Sequence, residues 1–92
     1  MAHTIADKTK LLHRVRRIRG QVEAIERDLE RDADCSETLH AISACRGAMD
    51  ALMAEVVEGH IRYHLFDGSN KPTASQSRAA EDLIDALKTY LR

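Results

Sequence analysis

The sequence predicts an all-α protein of three helices, of which the central one is unusually long. Hydrophobic residues make up 43% of the 92 residues, but aromatic residues make up only 3% and tryptophan is absent. The apolar side chains are therefore aliphatic, and this composition favours helices over sheets. A single proline and four glycines argue against a loop-rich chain. A chain of this length allows one small domain, which we take to be residues 1–92.

The first helix is expected over residues 6–30. Asp7 stands near its start, where an acidic side chain interacts favourably with the helix dipole. The apolar residues recur in steps of three and four, which is the spacing of a seam that packs against another helix. They are Leu11, Val15, Ile18, Val22, Ile25 and Leu29.

The same helix carries an uneven charge distribution. Six basic and no acidic residues lie in the segment 8–19, although the net charge of the chain is only −1. Such segregation is typical of an anion-binding surface, and a solvated helix face also shows it.

The second helix is expected over residues 36–66, with Asp34 or Ser36 as its N-cap. A helix of thirty residues would extend about 45 Å, which exceeds the ~25 Å diameter of a compact domain of this size. We therefore expect a spine shared between chains rather than a helix bent at Gly47 or Gly59. Its apolar seam contains Leu39, Ile42, Cys45, Met49, Leu52 and Val56, with small residues beside it.

The third helix is expected over residues 74–91, after a cluster of turn-forming residues at 67–72. No apolar run approaches the roughly 18–20 residues of a membrane span. No secretion signal opens the chain, so we expect a cytoplasmic protein that does not contact a membrane.

Histidine and cysteine residues form a candidate metal site. His60 and His64 are four residues apart, so one helix face can present both imidazoles to a metal ion, although solvated helices also show this spacing by chance. Helices joined by a short turn pack antiparallel, which places His3 beside this pair. Cys35 lies about 37 Å away along the helix, so it joins the set only from a second chain paired antiparallel. Nitrogen and sulfur donors together suit Ni(II), Co(II), Zn(II) or copper.

The remaining cysteine, methionine and histidine side chains are expected to lie in the core or at the surface rather than to bind metal. Cys45 falls on the seam of the second helix, and we expect it to fill the core together with Met49 and Met53. His13 and His40 have no partner at a useful spacing and are expected at the surface.

Two further segments are informative: residues 14–22 read RVRRIRGQV and residues 46–56 read RGAMDALMAEV. Together with Cys35 and the His60–His64 pair, they resemble the CsoR/RcnR family of small, all-helical, metal- or aldehyde-responsive bacterial repressors. The resemblance covers essentially the whole chain. It implies an antiparallel dimer that assembles into a tetramer, as a dimer of dimers, and that binds double-stranded operator DNA.

The resemblance also implies the inducer. The positions by which the family recognises it correspond here to His3, Cys35, His60 and His64. This set is similar to that of the nickel/cobalt-responsive branch. We therefore expect Ni(II) or Co(II), with Zn(II) as a further candidate, to release the protein from the operator of a metal-efflux gene.

DNA binding is expected without a helix-turn-helix, because no short helix pair offers a recognition helix. The basic segment lacks aromatic residues for base stacking, so we expect phosphate contacts and readout of DNA shape. Arg46 is either a further phosphate contact or an interhelix ion-pair partner. The expected DNA-binding residues are Arg14, Arg16, Arg17, Arg19, Gln21 and Arg46.

Other functions remain as alternatives. The stretch from Leu12 to Glu30 looks closer to the formaldehyde-responsive branch, in which an aldehyde would link the N-terminal amine to Cys35. Ala2 and His64 depart from that branch, which usually has a proline and a non-histidine residue there. A ligand-free helical bundle would make the His and Cys pattern coincidental. An enzyme is disfavoured, because the sequence has no nucleophile–base–orienter set beyond Cys35 with histidine, and no phosphate-binding loop.

Overall fold

The structure, a computed structural model, describes residues 5–62 and 71–91. These residues form three helices and no strand: α1 (Ile5–Glu30), α2 (Cys35–His60) and α3 (Ala74–Tyr90). The all-α prediction is confirmed, and the bounds of α1 and α3 and the start of α2 lie within one residue of those expected. A π-helical turn at Ile61 and Arg62 follows α2. The expected end of this helix near residue 66 lies outside the described residues.

A tight turn at residues 31–34 reverses the chain between α1 and α2. Asp32 has a φ of 52°, in the left-handed region that an Asp side chain tolerates better than most. The amide of Ala33 donates to the carbonyl of Asp28 at 2.8 Å, and the amide of Asp32 donates to that of Leu29 at 3.3 Å. These are the two bonds of a Schellman motif, which satisfies carbonyls left over at a helix end. The turn therefore sets the antiparallel direction of α2.

The N-cap of α2 is Asp34, one of the two expected candidates. Its side chain makes no capping hydrogen bond, but its carbonyl accepts from the amide of Thr38 at 3.2 Å. The Arg31 guanidinium braces the turn by donating to Asp28 at 3.0 Å and to Glu37 at 3.2 Å. Cys35 is consequently the first residue of α2.

A capping box starts α3. The amide of Gln76 donates to the Thr73 hydroxyl at 3.1 Å, and the Gln76 side chain accepts from the Thr73 amide at 2.9 Å. The fully buried side chain of Ile84 then anchors α3. Ion pairs of Arg62 with Glu81 at 2.6 Å and of Lys88 with Glu58 at 3.0 Å join α3 to the C-terminal part of α2.

The three helices form a single layer. The Cα atoms span 56 × 26 × 12 Å, with a radius of gyration of 17.3 Å, where a compact domain of this length would have about 12 Å. α1 packs on α2 and α2 packs on α3, so the helices lie side by side. In a single chain, therefore, only the sides of α2 that contact α1 and α3 are covered.

Most of the expected core is exposed in the single chain. In the described residues only Ile18, Ile61 and Ile84 are buried hydrophobic residues. The expectation that Met49 and Met53 are core residues is wrong for one chain, since they are 47% and 51% exposed, and Cys45 is only half-buried. The physical reason is the single layer, which offers no second surface to cover this side of α2. No helix in the described ranges is both long and apolar enough to cross a membrane.

Candidate functional site

Two of the four expected metal ligands, Cys35 and His60, lie at opposite ends of α2. Cys35, the first residue of the helix, carries an exposed free thiol. His60, the last residue, is also exposed. The helix separates them by about 37 Å at 1.5 Å per residue. His3 and His64 lie outside the described residues, and within residues 5–62 and 71–91 no cluster of three potential metal ligands occurs.

The start of α1 lies against the end of α2. Asp7 and Glu58 line the same cavity of about 170 Å³, as the antiparallel register predicts. Gly59, next to His60, also lines it, together with Lys10 and Arg62. The N-terminal end of α1 therefore lies at the end of α2 that carries His60.

Glu58 and Arg62, which line this cavity, form ion pairs with residues of α3. Arg62 pairs with Glu58 at 3.6 Å as well as with Glu81. The hydrogen bond with Glu81 and its charge raise the pKa of Arg62. Lys88 also reaches Glu58. Three helices thus converge where α2 ends, and these ion pairs add to the apolar packing of the buried Ile61 and Ile84.

The predicted basic face is formed by α1. Arg14, Arg17 and Gln21 line a second cavity of about 180 Å³ with Ile18 and Ala48. They therefore share one face, as their spacing predicts. Arg16, Arg17 and Arg19 are exposed.

Arg46 is also exposed, although its apolar sequence neighbours suggested burial. Arg46 forms no ion pair with any residue in the described ranges, so within them the structure does not support an interhelix ion pair. The reason is the same single layer: this side of α2 faces solvent in one chain. A phosphate contact remains the role expected of Arg46.

Glu55 of α2 contacts the basic face. One carboxylate oxygen lies 3.0 Å from Lys10 Nζ, and the other lies 2.7 Å from Arg14 Nε. Partial burial raises the pKa of Glu55, but the contacts and charges of Lys10 and Arg14 outweigh it, so the net pKa is below its ordinary value. The Arg14 contact is an ion pair without hydrogen-bond alignment, since neither of its atoms has a hydrogen-bond partner.

Glu55 was not among the predicted site residues. The antiparallel register that pairs Asp7 with Glu58 also pairs Lys10 with Glu55, so the signal was present in the sequence. Glu55 is the acidic residue of segment 46–56 that this register sets opposite the basic segment, and that position would have identified the contact.

The family model for metal-sensitive transcriptional repressors matches residues 7–89. The chain belongs to this family, the CsoR/RcnR family. The match extends over all three helices and includes the basic face, Cys35 and His60. The predicted resemblance is thereby confirmed. The family consists of transcriptional repressors rather than enzymes, and membership implies DNA binding and self-association.

Two relatives match the whole chain. The transcriptional repressor RcnR of Salmonella paratyphi B is 41% identical over 95 residues and covers both chains completely. An uncharacterised protein from the bioA 5′ region of Serratia marcescens is 47% identical over 92 residues, again with both chains covered completely.

A solved structure also matches the fold. It is a variant of the formaldehyde-responsive regulator FrmR from Salmonella enterica serovar Typhimurium, with a TM-score of 0.69 and 43% identity. The match covers 98% of this chain and 99% of the other. The RcnR relative and the FrmR structure therefore resemble the chain to a similar degree, at 41% and 43% identity, and overall similarity does not distinguish between candidate inducers.

Proposed function

We propose that the chain is a tetrameric repressor that leaves its operator when Ni(II) or Co(II) binds His3, His60 and His64 of one chain and Cys35 of the partner subunit. Residues 1–92 act as one unit in this proposal, and each dimer carries two such sites. The DNA-binding face is Arg14, Arg16, Arg17, Arg19 and Gln21 of α1, with Arg46 of α2.

The observation that carries the proposal is the symmetry of the exposed apolar stripe on α2. The midpoint between Cys35 and His60 falls between Gly47 and Ala48. Leu39 and Val56 are equally far from that point, and so are Ile42 and Met53. All four side chains are exposed, each by 42% or more. A stripe of this kind is self-complementary when two copies cross antiparallel about a twofold axis.

The same twofold register brings the candidate ligands together. It pairs Leu39 with Val56 of the partner subunit and Ile42 with Met53 of the partner subunit, and it places Cys35 beside His60 of the partner subunit. Gly47, at the crossing point, has open space where a side chain would stand. Packing within one chain does not require a glycine there, whereas a close approach of two helices does.

The donor set favours a borderline metal ion. Three imidazoles and one thiolate are harder than the thiolate-rich sets that select Cu(I), and they suit Ni(II), Co(II) and Zn(II). Cys35 and His60 are both exposed at helix ends, so metal binding would not require α2 to unfold. When bound, the metal would tie α1 to α2 of the same chain and to the partner subunit.

Formaldehyde is the second candidate inducer. The observation that favours it is the similarity to a formaldehyde-responsive regulator, together with the exposed thiol of Cys35. In the reaction, an amine and a thiol would each form one bond to the aldehyde carbon. The carbonyl oxygen would leave as water with one proton from each group, giving an N–CH₂–S bridge.

An inducer panel tests the two candidates. The apo protein first selects a duplex from a random-sequence DNA library, and fluorescence anisotropy then measures its affinity for that duplex with Ni(II), Co(II), Zn(II) or formaldehyde. We expect Ni(II) and Co(II) to weaken binding by roughly 10- to 100-fold, the usual range of allosteric coupling. Unchanged affinity with every metal, together with release by formaldehyde, would replace the metal proposal by its alternative.

A pair of histidine variants tests the ligand set. His64→Ala should lose the Ni(II) response, because it removes one donor. His13→Ala is the matched control, since His13 is an exposed histidine on α1 outside the proposed set. A full metal response in His64→Ala would contradict the proposed site.

A further inference from the structure

We propose that Glu55 is the positioning residue for Arg14 and that this pair determines how well the protein distinguishes its operator from other DNA. The inference rests on the proposed DNA binding by α1. Glu55 would not touch the DNA itself, because its side chain is only 19% exposed. It would act by fixing the guanidinium that does.

The contact geometry restrains α1 at two successive turns. Glu55 uses one oxygen for Lys10 and the other for Arg14, which stand four residues apart. Residues at that spacing lie on the same helix face. A single carboxylate from α2 therefore sets both the rotation of α1 and the direction of the Arg14 side chain.

The contact leaves the outer part of Arg14 for another ligand. Glu55 pairs with Nε, which is enclosed, while Arg14 also lines the cavity that contains Arg17 and Gln21. A guanidinium has five N–H donors in a fixed plane, so pairing at Nε still leaves donors on the terminal nitrogens. An arginine held at one edge loses less conformational freedom when the other edge binds a phosphate or a base.

Buried polar atoms without an aligned hydrogen bond single out this junction. Within the described residues, the buried side-chain nitrogen and oxygen atoms without a hydrogen bond are Arg14 Nε, Gln21 Oε1 and Glu55 Oε2. Buried polar atoms normally have partners. Of these three atoms, Arg14 Nε and Glu55 Oε2 face each other at 2.7 Å as an ion pair, so a small rotation of the Arg14 guanidinium would align a hydrogen bond to Glu55 while its terminal nitrogens bind DNA.

If Glu55 acted only through its charge, its removal would raise the affinity for the operator instead of lowering it. Glu55 places a negative charge among the cations, so its removal strengthens attraction to any DNA. Positioning instead predicts that Glu55→Gln loses affinity for the operator while keeping or gaining affinity for other DNA. The ratio of the two affinities therefore separates the roles.

The experiment measures anisotropy on the selected operator duplex and on a scrambled duplex of equal composition. For Glu55→Gln we expect the operator-to-scrambled affinity ratio to fall roughly tenfold, comparable with the loss of one good base contact. Glu23→Gln is the charge-matched control, because Glu23 is an exposed acidic residue of α1 that lies 4.0 Å from Arg19. It should raise both affinities by the same factor.

Two further variants test whether Glu55 acts through Arg14. Glu55→Asp keeps the charge but shortens the reach, so the ratio should fall by an intermediate amount. Glu55→Gln should add no further loss to an Arg14→Gln variant. Equal changes on both duplexes, or additive losses in the double variant, would overturn the inference. If the wild-type protein itself prefers no duplex, the proposed DNA binding fails instead.

Discussion

Leu39 and Val56 are both exposed on α2 and lie equally far from the midpoint between Cys35 and His60. Ile42 and Met53 repeat this relationship closer to the midpoint. One chain gives these side chains no cover, because its three helices form a layer only 12 Å thick. The stripe has the symmetry that a twofold partner requires, and in the proposed dimer the same symmetry would bring the start of α2 in one chain to the end of α2 in the other.

A charge placed within this stripe should prevent assembly. Ile42→Glu would bury a carboxylate in the proposed interface, and an unpaired buried charge is strongly unfavourable. In size-exclusion chromatography with light scattering, we expect the wild type to elute as a tetramer and the variant to elute as a monomer. Ser77→Glu, at an exposed polar position of α3, should leave the assembly unchanged. An Ile42→Glu tetramer would show that chains associate through another surface.

The helices could be predicted from the sequence because periodicity and local capping determine them. Steps of three and four indicated α1, the turn-forming cluster at 67–72 indicated the start of α3, and the bounds of both helices lie within a residue of those expected. The Schellman motif at Asp32 was missed, since only a polar break was visible there and glycine is the usual residue at that position. Burial was predicted less well, because an apolar seam specifies that a residue is covered but not by which chain. This explains why Met49 and Met53 are exposed in a single chain.

The candidate site could be predicted only in part. The separation of Cys35 from His60 follows from helix length, and the face shared by Arg14, Arg17 and Gln21 follows from spacing. The contacts of Glu55 depend on the register between α1 and α2 and on side-chain reach. The register could be read from the sequence, whereas the sharing of one carboxylate between Lys10 and Arg14 becomes visible only in the structure.

Removal of one basic side chain should reduce the salt dependence of DNA binding. Arg17 is exposed and lines the α1 cavity beside Arg14, so we expect it to neutralise one phosphate. Arg17→Ala should lower the slope of log affinity against log salt by about one and weaken binding to all duplexes similarly. Anisotropy titrations over a series of salt concentrations measure the slope. Arg78→Ala, at an exposed position of α3, should leave it unchanged.

The lowered pKa of Glu55 predicts how stability depends on pH. Its ordinary value is 4.5, and the pairs with Lys10 and Arg14 lower it in the folded protein. The ionised carboxylate therefore contributes stability above pH 4.5, and this contribution is lost as the pH falls through the lower folded value. Urea unfolding should show the wild type more stable than Glu55→Gln at pH 7, with the difference shrinking below pH 4. A difference that is the same at both pH values would mean that the carboxylate charge does not stabilise the α1–α2 contact.

The two cysteines should differ in metal binding. Cys35 is exposed at the first position of α2, where the proposed twofold register brings it to His60 of the partner subunit, whereas Cys45 is half-buried in the middle of the helix. Co(II) bound by a thiolate gives a sulfur-to-metal charge-transfer absorption in the near ultraviolet. This band should disappear in Cys35→Ser and persist in Cys45→Ser, with one Co(II) bound per chain in the wild type.

Mixed assemblies of Cys35→Ser and His60→Ala chains test the sharing of ligands, because a dimer with one chain of each kind keeps one complete site. Recovery of about half the band per heterodimer is the expected result, and no recovery would mean that each site takes all its ligands from one chain.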